Sequence, residues 1–166
     1  MTHKLDCPNL PQRDDPKTTP RHAFRPYAIP VKVVKGNGCP KGWTQFNSRC
    51  FLYQDEERQF ADAESICNIL HGNLASVHSA LEYAVVLELV RASSDSDGDV
   101  WLGLHEAIED GNFMWTDGTE VDFTAFNGDD DPGDCIELEF SDGLWDNDNC
   151  YDTNRFVCAR DAECDY

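Results

Sequence analysis

Residues 60–72 read Phe60-Ala61-Asp62-Ala63-Glu64-Ser65-Ile66-Cys67-Asn68-Ile69-Leu70-His71-Gly72. Phe60, Ala63, Cys67 and Leu70 recur at spacings of three and four, which aligns them along one stripe of a helix, and Gly72 follows as a stop. The helical pattern begins near Asp55 and lasts to His71. Its buried stripe carries Cys67, ready to pin the helix to something distant. A second helix is expected from Ser79-Ala80-Leu81-Glu82, because Ser followed three residues later by Glu forms a capping box. Leu81, Val85, Leu89 and Val90 would make its apolar face, and the polar stretch Ser93–Asp99 ends it. Upstream, Gly42–Tyr53 places Trp43, Phe46, Phe51 and Tyr53 between turn signals, as strands do. From Val100 onward no helical period survives. Val100–Leu104, Phe113–Trp115, Val121–Phe123, Ile136–Phe140 and Arg155–Ala159 alternate with turns and read as short strands. Two helices followed by many short strands indicate an α+β domain.

The chain has 166 residues, enough for one domain with a packed core and too few for two. Residues 8–30 contain six of the eight prolines, among Arg, Lys, Asp and Thr. They read as an extended, polyproline-like arm over 1–38, followed by the compact domain over 39–166. Eight cysteines suit full disulfide pairing in an oxidising compartment, so a secreted, extracellular protein is expected. Zinc would want C-x-x-C knuckles, and the sequence has none. The start Met1-Thr2-His3-Lys4 lacks an apolar leader, which is read as a mature or recombinant form.

Charge is divided along the chain. Residues 1–41 hold eight Lys/Arg and three acids, a net +5, while the remainder holds five Lys/Arg and 29 acids, a net −24. A field of that sign repels nucleic acid and anionic membranes and attracts cations, basic partners or mineral surfaces. No apolar run of 18 residues is present, so membrane insertion is not expected. Enzymatic signatures are missing as well. There is no G-x-S-x-G, P-loop or H-E-x-x-H, and His71, His78 and His105 have no metal spacing and read as turn or surface residues. Glu137 and Glu139 alternate as a glycosidase pair might, but any strand of an acidic protein offers such pairs. Asp95-Ser96-Asp97-Gly98-Asp99 with Glu106 at the twelfth position fails as an EF-hand, because Val100 stands where the loop needs Gly.

Several stretches together resemble the C-type lectin-like domain family. They are Cys39-Pro40-Lys41-Gly42-Trp43, Cys50-Phe51, Ala63-Glu64-Ser65-Ile66-Cys67, Gly72-Asn73-Leu74-Ala75-Ser76-Val77-His78-Ser79 and Trp101-Leu102-Gly103-Leu104. Further on come Phe113-Met114-Trp115-Thr116-Asp117-Gly118-Thr119, Cys135-Ile136-Glu137-Leu138, Trp145-Asp146-Asn147-Asp148-Asn149-Cys150 and Phe156-Val157-Cys158. The resemblance covers about residues 39–160. It implies two helices flanking short antiparallel strands, with a long loop region on top. It also implies the disulfides Cys39–Cys50, Cys67–Cys158 and Cys135–Cys150. Cys7 and Cys164 lie outside it and either pair with each other or bridge two chains into a homo-oligomer.

The resemblance implies calcium as cofactor and a glycan or glycoprotein as partner. Acids concentrate in Asn127-Gly128-Asp129-Asp130-Asp131-Pro132-Gly133-Asp134 and in Asp146-Asn147-Asp148-Asn149, the kind of hard oxygen set that calcium takes. The ligand set so implied is Asp129, Asp131, Asp134, Asp146 and Asn147, with a solvated acidic loop as the alternative. Three departures from the family pattern bear on sugar binding. The proline tripeptide is Asp131-Pro132-Gly133, whose Gly offers no side chain to orient a sugar. The acid near the cysteine, Asp134, is immediately before it. Trp145-Asp146-Asn147 inverts the family order of amide and acid, unless Asn147-Asp148 is the pair. Two further readings share the fold: an acidic matrix protein acting on mineral or ice, and a lectin-like domain that binds protein without sugar.

Overall fold

The computed structural model describes residues 38–94, 98–128 and 132–163. The expectations for the arm, for Cys7 and Cys164, for the segment 95–97 and for Asp129 and Asp131 lie outside the described residues. Within them the fold is α+β, as the sequence implies: two helices against one mixed sheet.

Strands β1 (Thr44–Phe46) and β2 (Arg49–Arg58) form a hairpin whose turn residue Asn47 takes a positive φ of 52°. Asn tolerates that conformation better than most side chains. β2 runs further than the sequence suggested. Asp55–Arg58 were expected to open the first helix, yet they are strand. The reason is a period of two: Asp55 and Glu57 both reach Arg155 on the neighbouring strand, at 2.9 and 3.2 Å.

Helix α1 spans Phe60–Ile69 and buries Phe60, Ala63 and Cys67. Its stop differs from expectation. The residue in the left-handed conformation is His71, at φ 63°. The Gly72 N–H then donates to Cys67 O at 2.9 Å and the His71 N–H to Asn68 O at 3.0 Å, a Schellman closure. Gly72 serves close packing instead. A Cβ there would lie 2.2 Å from the carbonyl oxygen of Ala159.

After β3 (Asn73–Leu74), helix α2 (Ala80–Ser93) starts as expected at Ser79, whose Oγ accepts from the Glu82 N–H at 3.1 Å. Its inner face is turned from the one expected. Leu81 is 72% exposed, while Glu82, Val86 and Val90 are buried. Glu82 takes the inward position because its carboxylate has partners there. It accepts from the His78 N–H at 2.7 Å and pairs with Arg49 Nη1 at 2.8 Å. A buried carboxylate so paired avoids the cost of an orphaned charge.

The remaining strands are β4 (Val100–His105), β5 (Met114–Trp115), β6 (Cys135–Leu138), β7 (Trp145–Asp148) and β8 (Asn154–Asp161). Sheet order is β1-β2-β8-β4-β6-β7, with β3 on β8 and β5 on β4. The β4–β8 pair is parallel and the others antiparallel. Val121–Phe123, expected as a strand, is irregular chain, and β7 was not anticipated. No helix among the described residues is long and apolar enough to cross a membrane.

One part of the core gathers Phe60, Trp101, Phe156 and the Cys67–Cys158 bond; the other gathers Phe51, Trp115, Trp145, Val86 and Val90. The disulfides Cys39–Cys50, Cys67–Cys158 and Cys135–Cys150 are all formed. Cys67–Cys158 closes 91 residues and contributes roughly 4–5 kcal/mol in the chain-entropy account.

The helix stop gives a paired prediction. His71→Gly should leave the urea midpoint of the oxidised protein unchanged or raise stability by up to about 1 kcal/mol, since it removes the left-handed penalty. Gly72→Ala should cost roughly 2–3 kcal/mol, because the Ala159 backbone cannot retreat. The reverse ranking would place the stop at Gly72 after all.

Candidate functional site

Trp145 organises the end of the molecule where the acids concentrate. Its fully buried ring has Tyr83, Trp115, Phe123 and Phe126 around it, at centroid distances of 5.6, 5.8, 5.8 and 5.9 Å. Its backbone is engaged too. The Trp145 N–H donates to Ala125 O at 2.9 Å, and its carbonyl accepts from the Asn127 N–H at 3.0 Å. The irregular chain leading into residues 127–134 is thereby fastened beside β7. Across the same hairpin, Cys135 and Cys150 hold both ends of the acidic region together.

The structure places three of the five sequence-derived site residues. Asp134 and Asn147 converge through a residue not assigned to the site, Glu106. The Glu106 N–H donates to Asp134 O at 2.8 Å, and Asn147 Nδ2 donates to Glu106 Oε1 at 2.7 Å and to Gly133 O at 2.9 Å. Glu106 is 9% exposed, and its other oxygen accepts from the Gly111 N–H at 2.5 Å. Sequence reasoning met Glu106 only as the last position of a failed EF-hand. Asp146 is 5% exposed, and its hydrogen-bond donor among the described residues is the Asn147 N–H at 2.8 Å. On β7 successive side chains alternate, so Asp146 shares a face with Asp148 and with Glu137 opposite it, while Asn147 turns to the other. Asp129 and Asp131 lie outside the described residues.

Glu137 is the second residue that the sequence undervalued. It accepts from Asn154 Nδ2 at 2.6 Å, and the same amide lies 3.4 Å from Asp148 Oδ2. Burial, then repulsion from Asp99 and Asp148, pushes the Glu137 carboxyl up to about 8. Glu139 is raised as well, first by burial and then by Asp142, Asp146 and Asp99. The hairpin thus holds more negative charge than its own donors neutralise. Gly133 is fixed by close approach: a Cβ there would lie 2.2 Å from the Asp148 carbonyl carbon.

A second polar network stands at the start of α2, and its outline resembles a hydrolase triad. His78 Nε2 is 3.1 Å from Ser76 Oγ, and Nδ1 is 2.8 Å from Asp122 Oδ1. Chemistry argues against a nucleophile. Ser76 is wholly buried, its hydroxyl donates to Asp117 at 2.5 Å, and it accepts from Arg49 Nη2 at 2.8 Å. With the proton committed to a carboxylate and a guanidinium on the oxygen, Ser76 has no path to a substrate. Burial works to raise Asp117, but hydrogen bonds from Ser76 and Thr119 and the charge of Arg49 outweigh it and hold the carboxyl low. The network is structural, and it makes His78 an internal tie where the sequence suggested a turn or surface residue.

Among the described residues, no three His, Cys, Asp or Glu side chains stand together as a metal cage. Asp134, Asp146 and Asn147 alone fall short of the six to eight oxygens that calcium takes. A fuller set would draw on the segment 129–131. One observation favours a cation nonetheless: among the described residues the buried Asp146 carboxylate has a single backbone donor, and Asn147 spends its amide N–H groups on Glu106 and Gly133, with no partner there for its Oδ1.

Comparison with known proteins agrees with this architecture. The model of the lectin C-type domain matches residues 56–160. The galactose-specific lectin nattectin of Thalassophryne nattereri is 33% identical over 129 residues, covering 75% of this chain and 81% of its own. The structure of human lithostathine superposes with a TM-score of 0.70 at 30% identity, covering 74% of this chain and 99% of that one. A calcium-independent type II antifreeze protein superposes at 0.68 with 29% identity, covering 75% and 95%.

The raised Glu137 carboxyl has a consequence for pH. A carboxyl whose folded pKa lies above its unfolded one stabilises the fold fully below the unfolded value, and that contribution is lost as pH rises through the folded value. In chelator, wild-type stability should therefore fall from about pH 4.5 to about 8, the ordinary and the raised values of this group. Glu137→Gln should flatten that slope and melt higher than wild type at pH 8, with the two converging near pH 4. An unchanged slope would mean that Glu137 is ionised in the fold.

Proposed function

Because the chain belongs to the C-type lectin domain family, we propose that it is a secreted, calcium-assisted recognition module for a glycan or glycoprotein. It is a binding protein and not an enzyme. The reading rests on the buried Asp146 carboxylate, 5% exposed with one hydrogen-bond donor among the described residues. A carboxylate in that position is stabilised by a cation more than by water it cannot reach. Asp129, Asp131, Asp134, Asp146 and Asn147 are the residues assigned to cation binding, with Asp134 and Asn147 joined through Glu106 and Asp146 on the opposite face of β7. Calcium would supply positive charge at the loop end and open coordination positions for ligand hydroxyls. The described residues by themselves do not complete its shell, so the segment 129–131 carries part of the assignment.

A second reading has its own support in Gly133. The Asp148 backbone leaves no space there for a side chain, so a sugar would lose one orienting partner at that position. Binding to a mineral or ice surface, or to protein alone, requires no such partner. The similarity to a calcium-independent antifreeze protein makes this the natural rival.

Calcium should raise the melting temperature by several degrees at neutral pH. Binding to the folded state alone adds about 2.7 kcal/mol when free calcium is a hundredfold above its dissociation constant. Asp146→Asn preserves the volume of the side chain, removes its charge, and should abolish the shift. A glycan array in calcium should then show signal that chelator removes. Equal melting in calcium and chelator would remove the ion from the site. A calcium shift with a blank array would leave the protein or mineral reading in its place.

A further inference from the structure

Beside β5 lies a cavity of about 500 Å³ that the proposed calcium site does not use. Phe113, Met114 and Val121 give it an apolar lining, with Ile108 standing 74% exposed at its wall. Its setting is one-signed. Residues 105–122 contain six acids and no Lys or Arg, and Glu109, Asp110, Glu120 and Asp122 among them are exposed. An apolar groove with an acidic rim fits a segment that is both apolar and basic.

The chain contains one. Residues 21–35 read Arg21-His22-Ala23-Phe24-Arg25-Pro26-Tyr27-Ala28-Ile29-Pro30-Val31-Lys32-Val33-Val34-Lys35, with four Lys/Arg, no acid, and Phe24, Tyr27, Ile29 and three Val. Residues 8–20 offer Leu10 as their one large apolar side chain. We propose that residues 21–35 dock into the groove of their own chain, so that the arm is a built-in ligand of the domain. This goes beyond the calcium-assisted reading and does not depend on it.

Reach and concentration favour the same chain over a second copy. Gly38 pairs with Glu163, just past the end of β8, and β8 and β5 both pair with β4. Neighbouring strands lie about 4.8 Å apart, and the seven residues from Val31 to Gly38 extend to about 23 Å. A tethered segment also meets its groove at an effective concentration near the millimolar range. The attraction is between exposed charges and is therefore screened by salt.

Limited trypsinolysis of the full chain, followed by mass spectrometry, tests the proposal. At low salt, cleavage after Arg21 and Lys32 should run roughly tenfold slower than after Lys17, because cutting tracks the undocked population. Salt at about 0.5 M should narrow the gap. Ile108→Asp, a change at an exposed site, should bring the Arg21 and Lys32 rates up to that of Lys17. Phe24→Ser with Ile29→Ser should do the same without touching the domain. Equal rates in the wild type would overturn the proposal, as would protection that survives Ile108→Asp. Protection that disappears on tenfold dilution would also overturn it and make a second copy the occupant.

Discussion

Cys158 lies midway along β8, the strand that hydrogen-bonds to β2 on one side and to β4 on the other, and its bond to Cys67 ties helix α1 to the same point. Most of the architecture depends on that junction. β3 joins β8 at Asn73↔Ala159 and Leu74↔Cys158, which requires the close approach that Gly72 permits. Phe60 and Trp101, in edge-to-face contact at 5.7 Å, pack in the same cluster as the disulfide. Without the covalent tie, the helix and the strand would have to find each other across 91 residues of chain, at the entropic cost that long loops carry.

The loop end obeys a different constraint. Trp145 supplies the apolar anchor, and the residues immediately after it supply acid. Rigid aromatic packing thus holds carboxylates closer together than solvent would leave them, because the strands to which they belong are already paired. A binding site profits from such an arrangement: the cost of gathering the groups is met during folding, and an arriving cation or basic group meets them preassembled.

The α+β class and the three disulfides were legible in the sequence, because α1 shows its period and the domain motifs come in order. What escaped was decided by contacts distant along the chain. Asp55–Arg58 carry a helix-compatible composition, yet Arg155, a hundred residues later, selects the extended form. Leu81 looks like a core residue until Arg49 draws Glu82 inward. Asp146-Asn147-Asp148 has poor strand propensity and becomes β7 only through pairing with β6 and the anchoring of Trp145. The candidate site was read in the same uneven way. Asp134 was singled out by Cys135 beside it and Asp146 by the Trp145-Asp146-Asn147 triplet, whereas Glu106 reaches Asn147 across 41 positions and gave no local signal.

Gly38 and Glu163 exchange both of their backbone hydrogen bonds, at 3.3 and 3.2 Å. The polypeptide therefore enters and leaves the domain through one doorway at the end of β8. A unit with adjoining ends can be spliced into a surface turn of a host protein without prying that turn apart, or strung in tandem like beads with short spacers. The same adjacency makes the order of the strands along the gene partly interchangeable: joining the two ends and opening the chain at an exposed turn should preserve every pairing in the sheet.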